Sequence, residues 1–251
     1  MRKTIILSLI ALFCVTTASA QYIERGLFNH VGANLSVGTQ GIGIGLATPI
    51  YEYAELSADI NFMPSIKIKG DVNVDFSGIP VTIADNKVKI TGDLARTTSD
   101  VKLSIYPFGG NSSFFVAGGF SFGGYKIAEL TGHSDGVAAA IAQNPAYKDQ
   151  IVAEIDKYNV KFNDNGDVLG DVRVKKFRPY VGLGFGRLVP TNRVNFRFEL
   201  GCQFMGKMEI YQSGNLVDTN DLNDTSDDIS KVVDKLKVYP VVKFTLTTRI
   251  L

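Results

Sequence analysis

Side chains able to carry chemistry are sparse in this chain, and the first question is whether any of them stand at a working spacing. Of 251 residues only His30 and His133 are histidines, and only Cys14 and Cys202 are cysteines. Structural zinc sites and disulfide scaffolds need several such residues together, so both are excluded. The triplet His133-Ser134-Asp135 holds the residue types of a hydrolase triad. Members of a triad are brought together in space and not along the chain, and Ser134-Asp135 reads better as the start of a helical turn. Gly41-Ile42-Gly43-Ile44-Gly45 resembles a dinucleotide loop. No helix pattern follows it, and its glycines alternate with apolar residues as they would in a strand. Asp218, Asp221, Asp224, Asp227 and Asp228 lack the glycine-punctuated spacing of a calcium loop and read as a solvated acidic segment. No cofactor or metal is expected. Lys+Arg number 26 against 25 Asp+Glu, a balance that excludes a nucleic-acid partner held by electrostatics.

The elements that must hold these residues begin with an address. Residues 1–20 open with Arg2 and Lys3, run through apolar Ile5 to Val15 and end in Ala18-Ser19-Ala20. That is the pattern of a cleaved signal peptide, leaving residues 21–251 as a single mature domain with Cys202 as its one cysteine. No later stretch is long and apolar enough for a membrane helix, so membrane insertion requires a β-barrel.

Period-two alternation dominates the mature chain. In Val194–Phe204, Val194, Phe196, Phe198, Leu200, Cys202 and Phe204 share one face while Asn195, Arg197, Glu199, Gly201 and Gln203 share the other. No helix produces that split. Seven further segments follow it, around residues 31–38, 42–46, 54–62, 101–106, 114–123, 178–185 and 242–250. The fold class predicted is therefore all-β: an eight-stranded antiparallel up-and-down transmembrane β-barrel. Tight turns near Tyr51-Glu52-Tyr53, Phe108 to Ser112 and Val189 to Arg193 fall at one end. Long connections, roughly residues 70–87, 132–175 and 213–237, fall at the other, as in bacterial outer-membrane barrels. Two of them carry helical spacing: Asn144-Pro145 followed by Tyr147, Ile151, Ile155 and Tyr158, and Thr225 or Ser226 followed by Ile229, Val232, Val233 and Leu236. These helices are expected to cap the barrel mouth. Asn165-Gly166 is expected to turn a hairpin joining Val160–Phe162 to Asp167–Lys175.

A soluble barrel also alternates, so the polar face decides which side meets water. It carries many Gly, Ser and Ala together with Glu55, Asp59, Lys102, Arg178, Arg197, Glu199, Lys243 and Arg249. Three acids and five bases among small residues suit pairing in a narrow lumen, and the apolar face is then left to lipid. Tyr51, Tyr53, Phe108, Phe114 and Phe115 are expected to form an aromatic girdle at the turn end. Eight strands leave an interior that side chains fill, so no open pore is expected.

Leu27-Phe28-Asn29-His30 opening the first strand, Gly41-Ile42-Gly43-Ile44 opening the second and Phe62-Met63-Pro64 ending the third give the chain its family likeness. It resembles the small outer-membrane β-barrel proteins of the Bacteroidetes, with an OmpA-like eight-strand architecture. The resemblance implies a bacterial outer-membrane location, lipid and the barrel-assembly machinery as partners, and mostly no assigned biochemical activity. The chain departs from the usual assembly signal, a terminal aromatic, by ending in Ile250-Leu251. The expected role is non-enzymatic, in envelope structure or in surface recognition of an unidentified ligand through the long loops. Two other readings compete: an outer-membrane enzyme acting on lipid or peptide, and a soluble periplasmic barrel that binds an apolar ligand.

Overall fold

The structure is a computed structural model, and it describes residues 26–73, 75–77, 87–109, 111–145, 152–155, 158–212, 214–217 and 237–250. The segment expected as a signal, the acidic segment, the helix expected over 225–236 and the chain's last residue lie outside them. The eight alternating segments form strands β1 (Gly32–Gly38), β2 (Gly41–Tyr51), β3 (Ala54–Met63), β7 (Arg96–Ile105), β8 (Phe114–Gly123), β13 (Phe177–Phe185), β14 (Val194–Phe204) and β17 (Val238–Arg249). They close into one antiparallel barrel in the order β1-β17-β14-β13-β8-β7-β3-β2. Closure runs from Gly32 opposite Arg249 to Gly38 opposite Lys243, so no strand edge is left unpaired in the wall.

Alternation sorts the two faces. Along β7, Thr98, Asp100, Lys102 and Ser104 are buried while Val101, Leu103 and Ile105 point outward and are exposed. The outer face carries Leu35, Ile44, Ile60, Phe120, Leu183, Phe196 and Phe244, all exposed. A chain folded in water would not turn its apolar face out over a whole barrel; in a bilayer this is the low-energy arrangement.

The long connections differ from expectation. They are mostly strands: β4 (Lys67–Asn73), β6 (Lys87–Asp93), β9 (Lys126–His133), β12 (Asp167–Arg173), β15 (Glu209–Gln212) and β16 (Asn215–Leu216) form a six-stranded sheet in the order β16-β15-β12-β9-β6-β4. The sheet repeats the barrel's own order, because β4, β6, β9, β12 and β15 each continue a neighbouring wall strand past a short break. The wall thus rises beyond the barrel on the side of β3, β7, β8, β13 and β14. Thr39-Gln40 turns β1 back into β2 at barrel height, with the Thr39 amide donating to Val242 O at 3.0 Å.

The helix expected after Asn144-Pro145 does not form where the structure describes the segment. Val152–Ile155 is β10 and Tyr158–Lys161 is β11, joined to β5 (Asp75–Ser77) in a three-stranded sheet. Ile155 stands opposite Tyr158 across the β10–β11 pair, and pairing partners override so weak a helical signal. The described helix, α1, is Asp135–Gln143. Ser134 caps it by accepting a hydrogen bond from the Val137 amide at 3.3 Å. Asn165-Gly166 does turn the chain between β11 and β12, with Gly166 at φ 71°, but the two strands do not pair as a hairpin. β11 pairs with β10, and β12 pairs with β9 and β15.

Candidate functional site

The polar side chains sent inward by the wall strands meet in the lumen, which is the candidate site. Glu55, Asp59, Lys102, Arg178, Arg197, Glu199 and Lys243 are all buried there. Arg249 is half-buried at the end of β17, and its Nη1 donates to Thr191 O at 3.2 Å among the turns. The girdle is also revised: Tyr51, Tyr53 and Phe108 are exposed at the turn end, whereas Phe115 is fully buried inside. Phe115 shares parity with inward Ala117 and Gly119, which placed it in the lumen from the start.

At mid-height the hub is Glu199. It accepts from Lys102 Nζ at 2.8 Å, from Tyr180 OH at 2.5 Å and from Arg197 Nη2 at 3.1 Å. Arg197 also donates to Ser104 Oγ at 2.9 Å and to Tyr106 OH at 3.2 Å. Its guanidinium lies 3.3 Å above the centre of the Phe115 ring. Long side chains fit here because the wall opposite them is glycine. A Cβ on Gly182 or Gly201 would fall 2.2 or 2.3 Å from Tyr180 OH, and one on Gly184 2.8 Å from the Phe115 ring.

Toward the loop end Asp100 gathers hydrogen bonds from Gln40 Nε2 and Asn61 Nδ2, each at 3.0 Å, and from Ser121 Oγ. Lys243 Nζ stands 3.6 Å from Asp59. Asp100 was missed because the sequence reading began that strand one residue later, at Val101.

The turn end is closed by a plug that alternation could not reveal. Residues 186–190, between β13 and β14, fold back into the barrel mouth instead of turning outside it, and all are buried. Leu188 and Val189 pack with Ala47 of β2. Their amides donate to Glu55 at 2.9 and 3.4 Å, and Tyr106 OH donates to the same carboxylate at 2.5 Å. Arg187 lies over the Tyr106 ring at 3.8 Å and donates to the carbonyls of Ser112, Glu52 and Gly109 at 3.0, 3.3 and 3.2 Å. One cation thereby ties together all three turns at that end.

Outside the barrel, His133 stands between two carboxylates, with Nδ1 2.7 Å from Asp167 and Nε2 3.1 Å from Asp135. The hydrogen bond to Asp167 first, and that to Asp135 second, hold its pKa above the ordinary histidine value. Asp135 in turn lies 3.2 Å from Lys89. Ser134 is turned to cap α1 and is buried, so His133, Ser134 and Asp135 are not arranged as base, nucleophile and acid. Among the described residues no group of three or more His, Cys, Asp or Glu could hold a metal ion.

Fold and site together define a closed antiparallel barrel with a filled polar lumen and an apolar outer wall. No family model and no curated protein matches the chain. Solved structures similar to it include two from Acinetobacter baumannii. Acinetobacter baumannii CarO2 is 20% identical with a TM-score of 0.49 over 88% of this chain and 98% of that one. Acinetobacter baumannii CarO is 20% identical with a TM-score of 0.48 over 89% and 99%. The architecture rests on the chain's own strand pairing and burial.

Proposed function

We propose that the protein is a non-enzymatic outer-membrane barrel whose sealed lumen stiffens a wall that carries a β-sheet above the membrane, where it serves envelope structure or surface recognition. The observation that carries this reading is the pairing of an apolar exterior with a charged interior that is plugged at one end. Among the described residues four buried acids and five buried bases, counting Asp100 and Arg187, face one another in the lumen. Such a network rigidifies a wall while leaving no continuous aqueous path. Groups that could meet a partner are confined to the raised sheet and its loops, since the wall's polar groups point inward and its apolar ones face lipid. The test places an epitope tag at Asn165-Gly166 and asks whether intact cells bind the antibody. Labelling of intact cells is expected; labelling only after the envelope is opened would refute surface presentation.

A further inference from the structure

The outer wall changes character abruptly where β8 passes into β9 and β12 into β13. Below the change, Phe120 and Phe177 stack at 4.7 Å and Phe122 meets Phe177 edge-on at 5.3 Å, all three exposed. Immediately beyond it come Lys126, Arg173 and Lys176. Lys176 Nζ lies 5.0 Å over the Tyr125 ring, and the Arg173 guanidinium lies 3.9 Å over Tyr211. Two carboxylates share this ground. Asp171 pairs with Arg173, with Nη2 at 3.1 Å, and stands 3.7 Å from Lys126, while Glu129 is 3.3 Å from Lys126. Three cations face two acids, and Lys176 has no carboxylate partner among the described residues.

A water-exposed surface would have no use for three exposed phenylalanines directly beneath a cationic cluster. A lipid with a phosphate headgroup matches both halves at once: a multivalent oxyanion for the cations and an acyl chain for the rings. We propose that this wall carries a binding site for a phosphorylated membrane lipid, with Lys126, Arg173 and Lys176 holding the headgroup phosphate and Phe120, Phe122 and Phe177 receiving the upper acyl chain. The site rests on the reading that the barrel spans a membrane. It adds a selective lipid contact to that reading, beyond general solvation by the bilayer.

The test uses the full mature chain in phosphatidylcholine nanodiscs doped with phosphatidic acid, whose headgroup is a phosphomonoester. Lipid retained on the protein is read by native mass spectrometry. Near the surface each Lys or Arg favours an anionic lipid about fivefold, and with Asp171 and Glu129 offsetting two of the three cations, phosphatidic acid should be enriched about fivefold over its bulk share. The triple variant Lys126→Gln, Arg173→Gln, Lys176→Gln should fall to the bulk share, and Lys69→Gln on β4 should behave as wild type. Should the triple variant lose heat-resistant folding, Lys126→Gln with Lys176→Gln keeps the Arg173–Asp171 pair and should still lose most of the enrichment. Enrichment that survives these changes, or is absent in the wild type, overturns the site alone. Enrichment abolished by excess inorganic phosphate would assign the cluster to a free anion and overturn the lipid. A chain that stays outside the discs would overturn the membrane-spanning reading and the site with it.

Discussion

Replacing Arg197 by Leu is the sharpest perturbation of the lumen. The change deletes the donors to Glu199, Ser104 and Tyr106 and the cation over Phe115. Removing one partner of a buried ion pair costs about 3–5 kcal/mol, because the remaining charge stays buried. Glu199 keeps Lys102 at 2.8 Å and Tyr180 at 2.5 Å, which puts the expected loss at the lower end, about 3 kcal/mol. Phe198→Leu on the outer face gives up its ring contact with Phe244, whose centroid is 4.8 Å away, and should cost about 1 kcal/mol. The assay is urea unfolding of the protein in phospholipid vesicles, followed by far-ultraviolet circular dichroism. With a slope of about 2 kcal/mol per molar urea, Arg197→Leu should lower the midpoint by about 1.5 M and Phe198→Leu by about 0.5 M. Equal midpoints for Arg197→Leu and wild type would refute a supporting role for the network. So would a larger shift from Phe198→Leu.

Three further outcomes follow from the same geometry. Planar-bilayer recordings of the wild type should show no reproducible open channel; Arg187→Ala, which unties the three turn-end carbonyls from the plug, should raise leak conductance, and steady channels in the wild type would contradict the seal. Replacing residues 213–237 by a short turn should leave heat-resistant migration on gels intact, since the barrel strands pair without them; loss of that migration would make the segment structural. The His133 clasp should loosen as pH rises. A folded pKa raised above the unfolded value gives stability that is complete below about 6.5 and lost as pH climbs through the folded pKa. Protease cleavage near Asn165-Gly166 should therefore quicken as pH rises above about 6.5 in wild type, and this increase should be missing in His133→Asn; equal pH dependence in the two would sink the idea.

What the sequence made legible follows from period two. A wall strand buried on one face writes its orientation into every second residue, so all eight strands and the inward set could be read from Arg197, Glu199, Lys243 and their neighbours. Parity alone places Phe115 inside, on the same face as Ala117, and would also place Asp100 there once its strand is extended to Arg96. The raised sheet was hidden because its strands are half-buried and mixed: Lys67-Ile68-Lys69 reads as loop until the register with β6 pairs Lys67 with Asp93. The plug was hidden for a different reason. Gly186–Pro190 has no periodicity, and its burial depends on Glu55, Ala47 and Thr247 approaching from distant strands.

Membrane fractionation tests the central claim most directly. The full chain, residues 1–251, expressed in a Gram-negative host is expected in the outer-membrane fraction, extracted only by detergent and migrating faster when unheated than when boiled. Recovery of folded protein from the soluble periplasm would contradict an apolar wall built for lipid.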